Sequence, residues 1–147
     1  MDMSKSEMAQ ELYNGGFNCA ASVLASFCED YELDTELAMK LACGLGGGCA
    51  EGEICGAASA AVIVVGLKYG QCIQDDRGAK MNCHARTTQF LNEFRQKHGA
   101  LTCRDLLADI SQVPTPAGDG KEDVKERRRF CAGLVTSAVE ILEELGY

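Results

Sequence analysis

The stretch that decides the fold of this 147-residue chain is residues 55–69, CGAASAAVIVVGLKY. No charged side chain occurs between Ala57 and Leu67, where small residues are followed by Val and Ile. An apolar run of this length is typical of a helix that is buried on most sides, and its small residues allow neighbouring helices to approach closely. We therefore predict a helix over 55–69 at the centre of the molecule.

The sequence on both sides of this stretch is also helical in pattern. Hydrophobic residues recur three or four positions apart, and the breaks between helices are rich in glycine or proline. This pattern predicts an all-α fold, a compact bundle of about six or seven helices. The predicted helices span 4–13, 18–30, 35–45, 55–69, 76–98, 102–109 and 121–145. The segment 111–120 holds both prolines and is predicted to be a linker within a single cysteine-rich helical domain, 1–147.

Composition and charge exclude several functional classes. The net charge of −8 argues against nucleic-acid binding, because a surface that follows phosphates needs clustered Lys and Arg. The basic run KERRR, residues 125–129, has acidic neighbours and is predicted to be a solvated helix face. The amino terminus lacks an apolar signal region, and the longest apolar run is too short to span a bilayer. We expect a cytoplasmic protein without membrane contact.

The nine cysteines are the feature that bears on chemistry. A reducing cytoplasm would keep them as thiols, so a structural disulfide framework is not expected. The chain has no C-x-x-C pair, which argues against a thioredoxin-type dithiol, a rubredoxin-like metal knuckle and covalent haem attachment. It also lacks a P-loop and a G-x-S-x-G motif, so nucleotide binding and serine hydrolase chemistry are disfavoured.

Four cysteines lie at positions that suit a reactive site. Cys19, Cys55 and Cys103 each stand at the start of a predicted helix. The unpaired N–H groups there lower the pKa of a thiol and stabilise the thiolate, which is the nucleophilic and metal-binding form. Cys131 lies on the apolar stripe of the last helix and is predicted to face the core. These four are the candidate redox-active thiols.

The other cysteines receive different predictions. Cys28 and Cys43 lie on apolar helix faces and are predicted to be core residues. Cys49, six residues before Cys55 in the glycine-rich loop, is a further candidate as a ligand or a resolving thiol. Cys72 and Cys83 are predicted to be surface thiols.

The sequence resembles a known family over nearly its whole length. The matching segments, with the cysteine that each contains, are GFNCAASVLASF (Cys19), LGGGCAEGEICGAASAAVIVVGLKYG (Cys55), FLNEFRQKHGALTCRDLL (Cys103) and RFCAGLVTSAVEIL (Cys131). They resemble the redox-active C_GCAxxG_C_C family of small bacterial and archaeal proteins, and the resemblance implies that these four are the recurring set. GCAEGE departs from the GCAxxG spacing, which leaves open whether Cys49 or Cys55 is the motif thiol; we favour Cys55.

Two functions from different classes remain after this reading. In the first, Cys19, Cys55, Cys103 and Cys131 converge on one centre for electron transfer or thiol redox chemistry, either as thiols or as ligands of an iron–sulfur cluster or zinc ion. Cys49 would be an additional ligand. In the second, the protein is a noncatalytic helical interaction module whose cysteines fill the core. The sequence leaves open whether the protein is an enzyme, meets a redox partner protein or forms a homo-oligomer.

Overall fold

The computed structural model of the chain describes residues 3–111 and 121–147, and the secondary-structure elements described are all helices. The helices of this part are α1 (Lys5–Asn14), α2 (Cys19–Phe27), α3 (Thr35–Cys43), α4 (Gly56–Tyr69), α5 (Arg77–His98), α6 (Cys103–Leu106), α7 (Ala108–Ser111) and α8 (Lys121–Glu144). The all-α prediction is confirmed. Apart from Ser111, which ends α7, the predicted linker 111–120 lies outside the described residues.

Polar side chains fix where the helices begin. Five capping side chains each accept a hydrogen bond from the backbone N–H three residues further on: Ser4, Asn18, Asp34, Asp76 and Thr102. Such caps satisfy donors that have no partner inside the helix. For this reason the observed helix starts lie close to the predicted ones.

Two predicted helices are shorter or broken in the structure. The helix predicted over 18–30 ends at Phe27 and is followed by a tight 3₁₀ turn, Glu29–Tyr31. The helix predicted over 102–109 is two short helices, α6 and α7, with a break at Leu107. Apolar periodicity continues through both breaks, which is why spacing alone did not reveal them.

The centre of the bundle is shared by α2 and α4. Eight of the nine residues of α2 are buried, from Ala20 to Phe27, and this helix contacts α1, α3, α4 and α8. Helix α4 contacts α2, α5 and α8, and its last turn reaches the surface at Leu67 and Lys68. The segment 55–69 is therefore one of two central helices rather than the single one predicted.

The glycine-rich loop before α4 forms a left-handed turn. Gly47, Gly48, Cys49 and Ala50 have φ values of 68°, 65°, 57° and 60°. Glycine adopts this conformation freely, whereas Cys49 and Ala50 adopt it at a cost of about 1–2 kcal/mol each. The turn closes with a hydrogen bond from the Glu53 N–H to the Gly48 carbonyl, 3.0 Å. The chain then enters α4 in a fixed direction.

Two short antiparallel segments clamp the start of α4 beside the start of α6. An isolated β-bridge pairs Ile54 with Thr102. The Cys55 N–H donates to the Leu101 carbonyl at 2.8 Å, and the Cys103 N–H donates to the Glu53 carbonyl at 2.7 Å. Two cysteines that are far apart in sequence are thus held on adjacent backbone segments. Among the described helices, none is both long enough and apolar enough to cross a membrane.

Replacing Asn18 tests the start of α2. Its Oδ1 accepts from the Ala21 N–H at 2.9 Å, and its Nδ2 donates to the Cys43 carbonyl at 2.8 Å. We expect Asn18→Ala to lower the free energy of unfolding by about 1–2 kcal/mol, because both bonds are lost. Urea unfolding measures this. Asn82→Ala, at an exposed position of α5, is the control and should change stability by less than about 0.5 kcal/mol; an equal effect of the two changes would contradict the assigned role.

Candidate functional site

Cys19, Cys55, Cys103 and Cys131 line one cavity. The cavity has a volume of about 450 Å³, and its wall also contains the polar or charged residues Tyr13, Asn18, Arg127 and Arg128. Cys55 is buried, and the other three thiols are partly buried. The structure therefore brings together the four cysteines that the sequence singled out.

Each of the four thiols comes from a different helix or its start. Cys19 is the first residue of α2, Cys55 precedes the first residue of α4, and Cys103 is the first residue of α6. Cys131 lies within α8, which packs against α2 and α4. Because three helix starts and one helix face meet here, residues 112 positions apart in the chain share one site.

The Cys19 sulfur is surrounded by backbone donors. N–H groups of Gly47, Ala20 and Ala57 act on it and favour its thiolate form. These donors belong to the left-handed turn and to the first turns of α2 and α4. A Cβ at Gly56 would lie 2.7 Å from the Cys19 Sγ and 2.9 Å from the Leu45 carbonyl oxygen. Because Gly56 has no side chain, the Cys19 sulfur can occupy this space.

Burial decides the protonation state of the site. Loss of solvent raises the pKa of Cys55 to about 12 and the pKa of Cys131 to about 11, and a charge on Cys19 adds to both shifts. Burial also raises the pKa of Cys19 and Cys103. The expectation that helix starts would lower the thiol pKa values is therefore wrong in direction, because desolvation outweighs the N–H donors.

Tyr13 and Arg128 form one wall of the cavity. The Arg128 guanidinium lies 4.4 Å from the centre of the Tyr13 ring and donates from Nη2 to the Tyr13 carbonyl at 2.7 Å. Burial and the charge of Cys131 raise the pKa of the Tyr13 hydroxyl to about 12, and a hydrogen bond joins its side chain to Cys131. The phenol is therefore protonated at neutral pH, and its hydrogen bond lowers the pKa of Cys131 against the larger effect of burial.

The basic run 125–129 is not only a solvated face, as the sequence suggested. Arg127 and Arg128 precede Cys131 by four and three residues, so all three lie on the same side of α8. The positive charge of Arg127 lowers the pKa of Cys103 and Cys131, against the larger effect of burial. Sequence reasoning missed these arginines and Tyr13; helical spacing from Cys131 was the signal that could have revealed the arginines.

The remaining thiols lie elsewhere. Cys28 is buried, as predicted, and its Sγ donates to the Leu24 carbonyl at 3.4 Å. Cys43 is exposed, which corrects its prediction as a core residue. The buried face of α3 is formed by Ala38 and Ala42, and Cys43 lies about 100° around the helix from Ala42. Cys49 is exposed on the left-handed turn, and Cys72 is exposed as well.

The four cavity cysteines have the donor type of a metal site. In residues 3–111 and 121–147, no three His, Cys, Asp or Glu side chains are grouped closely enough to hold one metal ion as they stand. Four thiolates are nevertheless the donor set that iron–sulfur clusters use. The donor type therefore fits a cluster.

Comparison with known proteins gives one match. A family model described as "Putative redox-active protein (C_GCAxxG_C_C)" matches residues 17–145. No curated protein and no solved structure matches the chain. The matched range contains all four cavity cysteines.

The raised thiol pKa values predict that stability falls in alkali. Free thiols ionise near pH 9, whereas Cys55 and Cys131 in the fold have pKa values of about 12 and about 11. The stabilisation from holding these thiols neutral is complete below pH 9 and is lost as the pH rises toward 11 and 12. Each thiol contributes a slope of up to about 1.4 kcal/mol per pH unit.

Urea unfolding of the reduced protein, from about pH 8 to about pH 10.5, measures that slope. Cys55→Ala should make the free energy of unfolding fall less steeply with pH, because one of the contributing thiol protons is removed. Cys49→Ala, which removes an exposed thiol, should leave the slope as it is. A wild-type profile that stays level over this range would contradict the burial of the cavity thiols.

Proposed function

The chain belongs to the C_GCAxxG_C_C family of redox-active proteins, and we propose that its redox centre is the set of four thiols that line the cavity. The observation that carries this proposal is the arrival of Cys19, Cys55, Cys103 and Cys131 at one cavity from four different helices. If the cysteines served only to fill the hydrophobic core, there would be no reason for four of them to line the same cavity. Reversible formation of a disulfide between two of them is the chemistry proposed.

Cys19 is the attacking thiol in this proposal. Its sulfur has backbone N–H donors on several sides, and it remains partly accessible. Ionisation of Cys19 raises the pKa of Cys55, Cys103 and Cys131, so these three thiols hold their protons more tightly once Cys19 is a thiolate. The thiolate is the form that attacks a disulfide or another electrophile. A neighbouring cavity thiol then closes the disulfide.

An iron–sulfur cluster is the second candidate, and the donor set favours it. Cys19, Cys55, Cys103 and Cys131 would be the ligands, with the cluster supplying one-electron transfer. The four cysteines line a cavity of about 450 Å³, although no three of the described donors are grouped for a single metal ion. Cys49 would join only if the left-handed turn opened, since its thiol is exposed.

Oxidation of the reduced, metal-free protein separates these functions. We expect diamide, a thiol oxidant, to remove two hydrogens and to join Cys19 to Cys55, Cys103 or Cys131, as seen in peptide masses after digestion. Anaerobic reconstitution with iron and sulfide is the parallel experiment, and stable visible absorption with bound iron would support the cluster instead. Cavity thiols that stay inert in both experiments would favour the noncatalytic interaction module.

Gly56→Ala tests the environment of Cys19. The added Cβ would overlap the Cys19 sulfur and move it away from the N–H groups of Gly47 and Ala57. We expect alkylation of Cys19 by iodoacetamide near neutral pH to slow by about tenfold, with its pH midpoint raised, because hydrogen bonds to the thiolate are lost. Peptide masses measured across a pH series give both quantities.

The matched control is Gly66→Ala in the same helix. A Cβ at Gly66 meets no other atom within 4 Å, so Cys19 should keep its alkylation rate and midpoint. Circular dichroism checks that both variants fold. A folded Gly56→Ala protein with the wild-type midpoint at Cys19 would show that these N–H groups do not set the reactivity of the thiol.

A further inference from the structure

We propose that the cavity takes a small organic disulfide carrying carboxylate groups, and that Arg127 binds one carboxylate while Cys19 attacks the disulfide. The inference rests on the proposed thiol redox function and adds a substrate class to it.

The cavity is a basic site on an acidic protein. The chain carries a net charge of −8, yet the charged residues of the cavity lining are Arg127 and Arg128. A pair of guanidinium groups at a concave surface recognises anions, and a carboxylate fits the fork of an arginine in bidentate fashion. The local charge therefore favours an anionic ligand although the whole protein would repel one.

The two arginines have different roles. Arg128 is engaged with the ring and the carbonyl of Tyr13, so it belongs to the wall. Arg127 is exposed at the cavity, and among the described side chains it forms no ion pair. The ion pairs of the described residues are Lys5–Asp30, Lys40–Glu36, Lys97–Glu144 and Arg104–Glu53. Arg127 is thus the cavity cation available to a ligand.

The rest of the lining suits an organic molecule. Leu106, Leu107 and Leu134 give the cavity an apolar surface beside the thiols. The volume of about 450 Å³ lies within the range of small-molecule sites. An inorganic oxyanion would leave this apolar surface unused. A disulfide with carbon chains and a terminal carboxylate would contact the leucines, Arg127 and the thiols together.

The reaction balances within the protein and the substrate. The Cys19 thiolate attacks one sulfur of the substrate, the S–S bond breaks, and the first half leaves as a thiolate. A second cavity thiol loses its proton to solvent and attacks the Cys19 sulfur of the mixed disulfide, and the second half leaves as a thiolate. Two cysteine sulfurs have then lost two electrons and formed a disulfide, and the substrate disulfide has gained them as two thiols.

Two probe disulfides test the role of Arg127. One is 5,5′-dithiobis(2-nitrobenzoate), which carries a carboxylate on each ring, and the other is 2,2′-dithiodipyridine, which carries none. We expect Arg127→Gln to slow the reaction of the cavity thiols with the first probe by about tenfold and to change the second by less than about twofold. Peptide masses after rapid quenching with acid separate the cavity thiols from the exposed ones.

Controls come from the same protein. Arg129→Gln removes an exposed charge of α8 that is not among the lining residues, and it should leave both rates unchanged. Exposed Cys43 is an internal reference, and its rates should not respond to Arg127→Gln. The measured quantity is the rate with 5,5′-dithiobis(2-nitrobenzoate) divided by the rate with 2,2′-dithiodipyridine. A change in thiol ionisation alters both rates alike and leaves this ratio unchanged.

The outcomes distinguish this inference from the proposed function. If the cavity thiols of the wild-type protein react with neither probe, the thiol redox function fails. If they react with both probes and Arg127→Gln leaves the rate ratio unchanged, the redox function stands and carboxylate binding by Arg127 is wrong. A reduced ratio in Arg127→Gln alone supports the substrate class.

Discussion

The Cys19 sulfur lies where the first turns of α2 and α4 meet, and this contact sets the distance between the two central helices. Gly56 has no room for a Cβ because the sulfur and the Leu45 carbonyl occupy that space. The helices continue with small residues on both sides, including Ala20 and Ala21 on α2 and Ala57 on α4, all buried. A larger residue at the contact would separate the helices and open the cavity that they border.

Two opposing effects act on the thiols at this contact. Removing a thiolate from water costs several kcal/mol, and each hydrogen bond to a charged group returns about 1.5–3 kcal/mol. Cys19 has donors from Gly47, Ala20 and Ala57 that act against desolvation, whereas burial and the charge of Cys19 together raise the pKa of Cys55 to about 12. The same cavity can therefore hold one thiol that ionises more readily beside others that keep their protons, which is the division that disulfide chemistry needs.

Much of this fold could be predicted from the sequence, because helix starts depend on local chemistry. Caps such as Asn18 and Thr102 act within four residues, and the structure places helices close to where these residues predict them. The breaks at Cys28 and Leu107 could not be predicted, since both interrupt continuous apolar patterns. That α2 and α4 share the centre depends on packing between distant segments and could not be predicted. The absence of charged residues from α2 was the one local sign of its burial.

The four cysteines of the candidate site could be predicted from the sequence, whereas Tyr13 in the cavity wall and the electrostatics of the site could not. Helix starts and the stripe of α8 single out the four cysteines, whereas their pKa values depend on burial by residues far away in sequence. The exposure of Cys43 has the same origin, because an apolar stretch does not reveal which side of α3 meets a neighbour. Local patterns indicate where a thiol begins a helix, and only the assembled helices determine how much water reaches it.

The net charge and the cavity arginines act over different distances. At physiological salt, charges are screened beyond about 8 Å, so the acidic exterior of the protein has little effect on a ligand that is already inside the cavity. Arg127 and Arg128 line the cavity itself, at distances where screening is weak. Their charge acts on the Cys131 and Tyr13 side chains as well as on any bound anion. An anion that neutralised Arg127 would therefore reduce the support that this arginine gives to the thiolate forms of Cys103 and Cys131, and would leave in place the backbone donors that support the thiolate of Cys19.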